Sequence, residues 1–372
     1  MHSKRTLSPS FSVYLDLVRF TAALVVFFEH AKLAKLIPGP EWTSGLATAA
    51  VAAFFVLSGY VISATTDVAD GWRTFAVLRA ARLYSVVIPA WLLSCALKGG
   101  YAVYAGSEAL SVFLHEDLAW WRIVAAATFT GECWTLHVPI PWDGPVWSLD
   151  FEAAYYLLFA LLLFSKGRAR AISIGLIALI AGPKILLLLP CWLLGVALAD
   201  RPDLAFSSQP CARVVAGVAP LALVLVAYSG IETTIKNDIL WPNVPGFWRL
   251  QDAQNFATFY LDAILIAAAF IAVRQLTLKP VDILARMAPV VRWTAGYTFS
   301  LYLFHRPFQN LAEALLNGRD VSFWESSSIL AAILVLVVAL GSITEKRKDV
   351  WRRWFTYCLR PSLRRPLANQ SA

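Results

Sequence analysis

The sequence predicts an all-α fold: a polytopic membrane helix bundle of about ten transmembrane helices, with both termini on the inner side. Three observations lead there. The 372-residue chain is 59% hydrophobic, with a mean hydropathy of +0.62. Only 15% of its residues are charged, where a soluble domain carries about a quarter. Apolar runs long enough to span a bilayer recur with short gaps, and Lys and Arg gather in alternate gaps.

The runs fall near residues 13–32, 45–66, 83–98, 146–164, 170–182, 184–199, 213–229, 256–273, 294–315 and 325–343. The fifth and sixth are short and separated by Gly182, Pro183 and Lys184, which reads either as a tight helical hairpin or as one broken element. Trp120 to Thr130 is apolar but too short to span, so a re-entrant or interfacial helix is expected. Placing the N-terminus inside puts Lys4, Arg5, Arg73 to Arg82, Lys166 to Arg170, Arg201, Arg213 and Arg274 to Arg292 on the cytoplasmic side. With the C-terminal tail this holds about 22 of the 32 Lys and Arg residues. The net charge of +8 therefore follows from topology, and nucleic acid is not an expected partner. Residues 1–345 read as one integral membrane domain and 346–372 as a basic tail, whose Trp, Phe and Tyr suit the anionic inner leaflet. The basic start MHSKR precedes an apolar run that holds Asp16 and Arg19, so an uncleaved anchor is expected rather than a signal peptide. Two long outer loops, from Gly99 to Pro145 and from Gly230 to Asn255, are rich in aromatics such as Trp120, Trp121, Trp134, Trp142, Trp241 and Trp248. These suit an interface belt, and also suit stacking on sugar rings.

Five cysteines, Cys95, Cys133, Cys191, Cys211 and Cys358, show neither a disulfide framework nor a zinc spacing. No local spacing joins His30, His115, His137 and His305 into a metal site, so no metal is expected. Walker, HExxH, GxSxG and GxGxxG patterns are absent.

Ionisable residues inside apolar runs mark candidate function, because they are costly there unless they face a cavity or a partner. Arg19 and His30 stand eleven positions apart in LDLVRFTAALVVFFEH. That is three helical turns plus roughly 20°, so they share a face, ~16 Å apart along the axis. Arg19 also reads as a snorkelling cation or an ion pair with Asp16, and His30 as an interfacial helix-end histidine. Arg79 and Arg82, three apart, read as topology anchors or as a fork for phosphate oxygens. Glu152 lies about two turns inside the fourth span, near the expected depth of His30, where a carboxylate would orient the imidazole. Ser300, Tyr302 and His305 sit on the ninth span. Ser58 and Gly59 are small enough for close helix packing.

Five segments together resemble the membrane acyltransferase-3 family, which acylates sugars of surface polysaccharides and related molecules. They are LDLVRFTAALVVFFEH, FFVLSGYVI, FAVLRAARLYSVVIP, VWSLDFEAAYYLL and YTFSLYLFHRP, in family order. The family's Arg-to-His spacing maps onto Arg19 and His30. Its Arg-x-x-Arg maps onto Arg79 and Arg82, and its Trp-Ser-Leu-x-x-Glu onto Trp147, Ser148, Leu149 and Glu152. Two departures stand out: no hydrolase-like domain follows the last helix, and the proline often found after the arginine pair is displaced to Pro89. The resemblance implies a bacterial inner-membrane enzyme that moves an acyl group, expected to be acetyl, from acyl-CoA to a sugar hydroxyl of a polysaccharide or lipid-linked glycan. Arg19, Arg79 and Arg82 would hold the CoA phosphates. His30 would be the base or a transient acyl carrier, and Glu152 would orient it. Trp147, Ser148, Tyr302 and His305 would serve the acceptor or the oxyanion. Intramembrane Arg, His and Glu also suit a proton-coupled transporter; the arginine pair and the lack of inverted repeats lean towards the enzyme.

Overall fold

The computed structural model describes residues 3–279 and 281–359. It is helical almost throughout: α1 (Pro9–Leu33), α2 (Thr43–Thr65), α3 (Gly71–Ala105), α4 (Ser107–Val112), α5 (Trp120–Thr128), α6 (Trp147–Phe164), α7 (Gly167–Asp200), α8 (Gln209–Tyr228), α9 (Ile231–Thr234), α10 (Trp241–Asn243), α11 (Phe256–Leu276), α12 (Asp282–Ala295), α13 (Thr298–Leu316), α14 (Phe323–Ile343) and α15 (Lys348–Cys358). The start of α1 is set locally. Ser8 Oγ accepts from Phe11 N at 3.2 Å, and Pro9 occupies the first turn, where its missing N–H costs nothing.

Eight helical segments are long and apolar enough to cross a membrane. The chain is a polytopic helical membrane protein. The expected ten spans differ from these eight at two places. The fifth and sixth runs form the single assigned helix α7, and α13 is too polar to qualify by hydropathy.

Contacts at the ends of the helices resolve α7 into two arms. At the amino-terminal end of the bundle, Asp200 accepts from Ser63 Oγ at 2.9 Å and lies 3.4 Å from Arg5. Phe164, just before α7, packs on Phe75 at the start of α3. Both ends of α7 therefore lie at this end. Its middle lies at the opposite end, where Trp134 N donates to Ala181 O at 3.0 Å. The reversal falls at Gly182, whose φ of +78° favours glycine, and a Cβ there would lie 2.7 Å from the Trp134 backbone. Pro183 follows at once, so the apolar run turns back as a tight hairpin.

The third run extends much further than expected, as one helix from Gly71 to Ala105 with Pro89 inside it. The outer loop expected from Gly99 thus begins as helix. From that side α5 dips back beside α3, where Tyr84 Oη donates to Ala127 O at 2.7 Å. Residues 346–359 of the basic tail fold back on the bundle. Phe355 of α15 packs on Tyr84, ring centroids 5.7 Å apart. Residues 360–372 and the Trp248 side chain lie outside the described residues.

The core centres on α2 against the second arm of α7. A Cβ on Gly59 would lie 2.0 Å from Trp192 O, and one on Gly195 would lie 1.9 Å from Val56 O. Neither carbonyl can retreat without breaking its helix, so these glycines set the interhelical distance. Gly59→Val is expected to lower the thermal midpoint of the detergent-solubilised protein by several degrees or prevent its accumulation, since overpacking costs ~1–3 kcal/mol or more. A variant melting with the parent would show that the helices part freely there.

Candidate active site

Two histidines from distant parts of the sequence meet near the far end of the bundle. His30 comes from the last turns of α1 and His305 from the middle of α13. Their Nδ1 and Nε2 atoms lie 2.8 Å apart, and the rings stack with centroids 5.1 Å apart. His305 is fully buried, and its Nδ1 lies 2.6 Å from Leu301 O. A carbonyl can only accept, so His305 Nδ1 carries the proton. A neutral His305 then has an unprotonated Nε2, which accepts from His30 Nδ1–H. This leaves the lone pair of His30 on Nε2. The direction of the relay, from His30 to His305 to the Leu301 carbonyl, is thus fixed by a backbone oxygen.

Two more side chains of α13 hold α1 in place. Arg306 donates to His30 O at 3.1 Å and Gln309 to Phe27 O at 3.0 Å. Asp143, in the loop before α6, is fully buried, and neither carboxylate oxygen has a hydrogen-bond partner among the described residues. Burial pushes its carboxyl well above the usual range, and the charge of Arg306 opposes that shift.

Glu152 does not reach His30. It accepts from Ser58 Oγ at 2.6 Å and from the Tyr156 hydroxyl, and the hydrogen-bond partner of His30 is His305. The expected pairing is corrected accordingly. Glu152 lies one turn of α6 beyond Ser148, on the side away from the histidines, in one wall with Arg19 and Arg82, and α13 supplies the partner of His30.

Glu152 instead lines a narrow cavity of about 60 Å³ between α1, α2, α3, α6 and α13. Arg19 and Arg82 stand in its wall with Glu152, and Ser148 and Tyr302 complete it. Ser148 Oγ and Tyr302 Oη are hydrogen-bonded at 2.8 Å. Tyr302 precedes His305 by three residues, one helical turn or ~4.5 Å of rise. This cavity therefore approaches the histidine pair to within one turn of α13. Trp147 stands apart from it, in an aromatic cluster with Phe55 and Phe151.

Arg19 and Arg82 also line a larger cavity of about 500 Å³ nearer the amino-terminal end. Arg79 joins them there, one turn closer to that end on α3. Arg19 pairs with Asp16 at 3.3 Å, as one reading of the sequence expects, yet it faces both cavities. The Nε atoms of Arg19, Arg79 and Arg82 are buried with no hydrogen-bond partner among the described residues. Buried guanidinium donors left open this way suit an anion with several oxygens. Ser300 N and Oγ donate to Glu345 at 2.9 and 2.8 Å, so the buried Ser300 holds a carboxylate that lines this cavity.

Residues 12–345 match a family model described as an acyltransferase domain, Acyl_transf_3. The chain belongs to the acyltransferase-3 family. No curated protein and no solved structure matches it. The family makes this membrane protein an acyltransferase. Among the described residues no cluster of His, Cys, Asp and Glu could hold a metal ion.

Several buried polar groups of the acyltransferase were not singled out from sequence as candidates, Asp143, Glu132, Asp150 and Lys184 among them. Lys184, just after the α7 reversal, is fully buried and donates to Glu132 and to Leu136 O. Glu132 also bonds His137 Nδ1 at 2.8 Å, and its own N donates to Asp150 at 2.9 Å. The hydrogen bond to Glu132 raises the His137 pKa above its usual value, against partial burial. The signal in the sequence was a lone lysine between two apolar runs. It is a packing device: it fastens the 131–138 loop to the hairpin at the end of the bundle where the histidines lie.

Proposed function

We propose that this acyltransferase takes an acyl group, expected to be acetyl, from cytoplasmic acyl-CoA. The acceptor would be a sugar hydroxyl of a cell-surface polysaccharide or lipid-linked glycan, and the membrane a bacterial inner membrane. The observation that carries the reading is the continuity of the site. A cationic cavity leads through Arg19 and Arg82 into a narrow one that ends a turn from an imidazole pair with a free lone pair.

CoA is an extended molecule with phosphates at one end and the thioester at the other. Arg19, Arg79 and Arg82 would hold phosphates, and the arm would lie in the narrow cavity beside Glu152. The thioester would then stand near Tyr302 and His30. His30 Nε2 would take the proton of the acceptor hydroxyl as its oxygen attacks the thioester carbon. The C–S bond breaks from the tetrahedral intermediate, and His30 returns the proton to the departing thiolate. The Ser148 and Tyr302 hydroxyls would stabilise the oxyanion. Glu152, bonded to Ser58 and Tyr156, would help position the wall of the narrow cavity rather than the base. The family match favours this reading over proton-coupled transport.

Membranes bearing the protein, given radiolabelled acetyl-CoA and glycan acceptor, should transfer label. Arg79→Ala and Arg82→Ala should each raise the donor KM by about tenfold or more with a smaller change in kcat, in line with a loss of ~1.4 kcal/mol or more of charged hydrogen bonding. An unchanged donor KM in both would reduce the pair to topology anchors. Mass spectrometry of surface glycans with and without the gene would identify the acceptor.

A further inference from the structure

The larger cavity has a second set of cations that the family resemblance does not touch. Arg292 follows α12's middle turns, Lys346 lies in the turn after α14, and Lys348 and Arg352 stand one turn apart on α15; all four line the cavity. All four are exposed, unlike the half-buried Arg19, Arg79 and Arg82. They therefore form its mouth. Neither Lys348 nor Arg352 takes part in an ion pair among the described residues. Lys346 is fixed differently. Its Nζ lies over the Tyr297 ring, 4.5 Å from the centroid, and fills the space a Cβ on Gly296 would need. The helix that carries Lys348 and Arg352 is itself anchored, because Phe355 packs on Tyr84 of α3.

The cavity thus has two cationic levels along its depth. In total seven Arg and Lys residues line it against three carboxylates, Asp16, Glu345 and Asp349, a formal excess of four positive charges. A donor of the CoA type has about four negative charges, two on a diphosphate and nearly two on a ribose phosphomonoester. Covalent order decides which meets which. With the thioester deepest, the pantetheine arm comes next, then the diphosphate, then the ribose with its separate phosphate. The deep arginines reach the diphosphate first, and the mouth is left for the outer phosphate.

We propose that α15 is part of the donor site, with Lys348 and Arg352 holding the outer phosphate of a nucleotide-bearing donor. This rests on the acyl-CoA reading above and adds a selectivity to it: the enzyme distinguishes CoA from donors that share its arm and thioester but lack the outer phosphate. A lysine and an arginine at i and i+4 present their charges to one side of the helix, towards the cavity both line.

The experiment is equilibrium binding of CoA and of 3′-dephospho-CoA to the full-length protein in nanodiscs, at one fixed ionic strength. The unaltered protein should bind CoA at least about tenfold more tightly than dephospho-CoA. Lys348→Gln/Arg352→Gln should bring that ratio to about two or less, with dephospho-CoA binding within about twofold of the parent. Arg353→Gln, which removes a charge from the same helix outside the cavity lining, should leave the ratio unchanged. An unaltered protein that binds both ligands equally overturns the proposal. So does a double variant that keeps the parent's ratio, or an Arg353→Gln variant that loses it as fully as the double variant does. If the double variant does not fold, Arg352→Gln alone must lower the ratio, and an unchanged ratio there overturns the proposal. Failure of the unaltered protein to bind either ligand would instead remove the acyl-CoA reading itself.

Discussion

Membranes containing His30→Ala at the parent's protein level are expected to lose acyl transfer by about 10²–10⁴-fold, the range a positioned general base supplies. If His30 also carries the acyl group, the loss is larger still. The decisive comparison is with its partner. His305 touches no substrate in the proposed reaction, but it holds His30 Nδ1–H and so keeps the lone pair on Nε2. His305→Ala should lower kcat strongly and leave the donor KM nearly unchanged. His305→Gln should recover part of the rate, because the glutamine carbonyl accepts from His30 Nδ1–H as the imidazole did. Glu152→Gln should cost less kcat than His305→Ala. Activity retained in His30→Ala would remove the mechanism. Recovery absent in His305→Gln, with Glu152→Gln inactive, would return the orienting role to the carboxylate.

The second large effect concerns the hairpin. Lys184→Met leaves the buried Glu132 with only the half-buried His137 as a side-chain partner among the described residues, and breaking a buried pair from one side costs up to ~3–5 kcal/mol. The variant should melt well below the parent in detergent, or fail to accumulate. Lys184→Met combined with Glu132→Gln removes both charges and should recover most of the lost stability, since a buried pair replaced on both sides is often close to neutral. Thermal unfolding of the four proteins of this cycle gives the coupling directly. A Lys184→Met protein as stable as the parent would mean that His137 alone is enough to hold the Glu132 charge.

Much of this was legible in the sequence, and the limits are physical. The apolar runs fixed the fold class because a bilayer demands length and hydropathy, both readable residue by residue. The reversal at Gly182 and Pro183 was visible as an open choice, and only contacts at both ends of α7 close it. Arg19, Arg79, Arg82, Ser148, Glu152 and Tyr302 were all named from sequence, and all line one cavity or the other. His30 and His305 were named too, but not as partners. They are 275 residues apart, and no helical period relates positions on different helices. The Glu152 misassignment has a related origin: a residue count from the start of α6 placed it near His30, whereas it lies in one cavity wall with Arg19 and Arg82, towards the other end of α1. Lys184 and Asp143 escaped notice as candidates because a lone charge at the end of an apolar run looks like an interfacial residue until burial is known. Lys348 and Arg352 were read as a membrane-surface tail, since an amphipathic basic helix has the same composition whether its apolar face meets lipid or α3.

The hydrogen bond between Ser148 and Tyr302 has an electrical consequence. An enzyme with a donor on one side of a membrane and an acceptor on the other needs a passage through most of the bilayer. A passage filled with water would conduct protons, and each charge crossing 100 mV would dissipate ~2.3 kcal/mol of the cell's stored potential. The hydrogen-bonded hydroxyls of Ser148 and Tyr302 line the narrow cavity one turn of α13 short of the histidines. In the proposed reaction the pantetheine arm would take the place that a chain of waters would need. Under the proposed function such a design would let an acyl group cross while the membrane stays charged, so catalysis and bioenergetics need not compete.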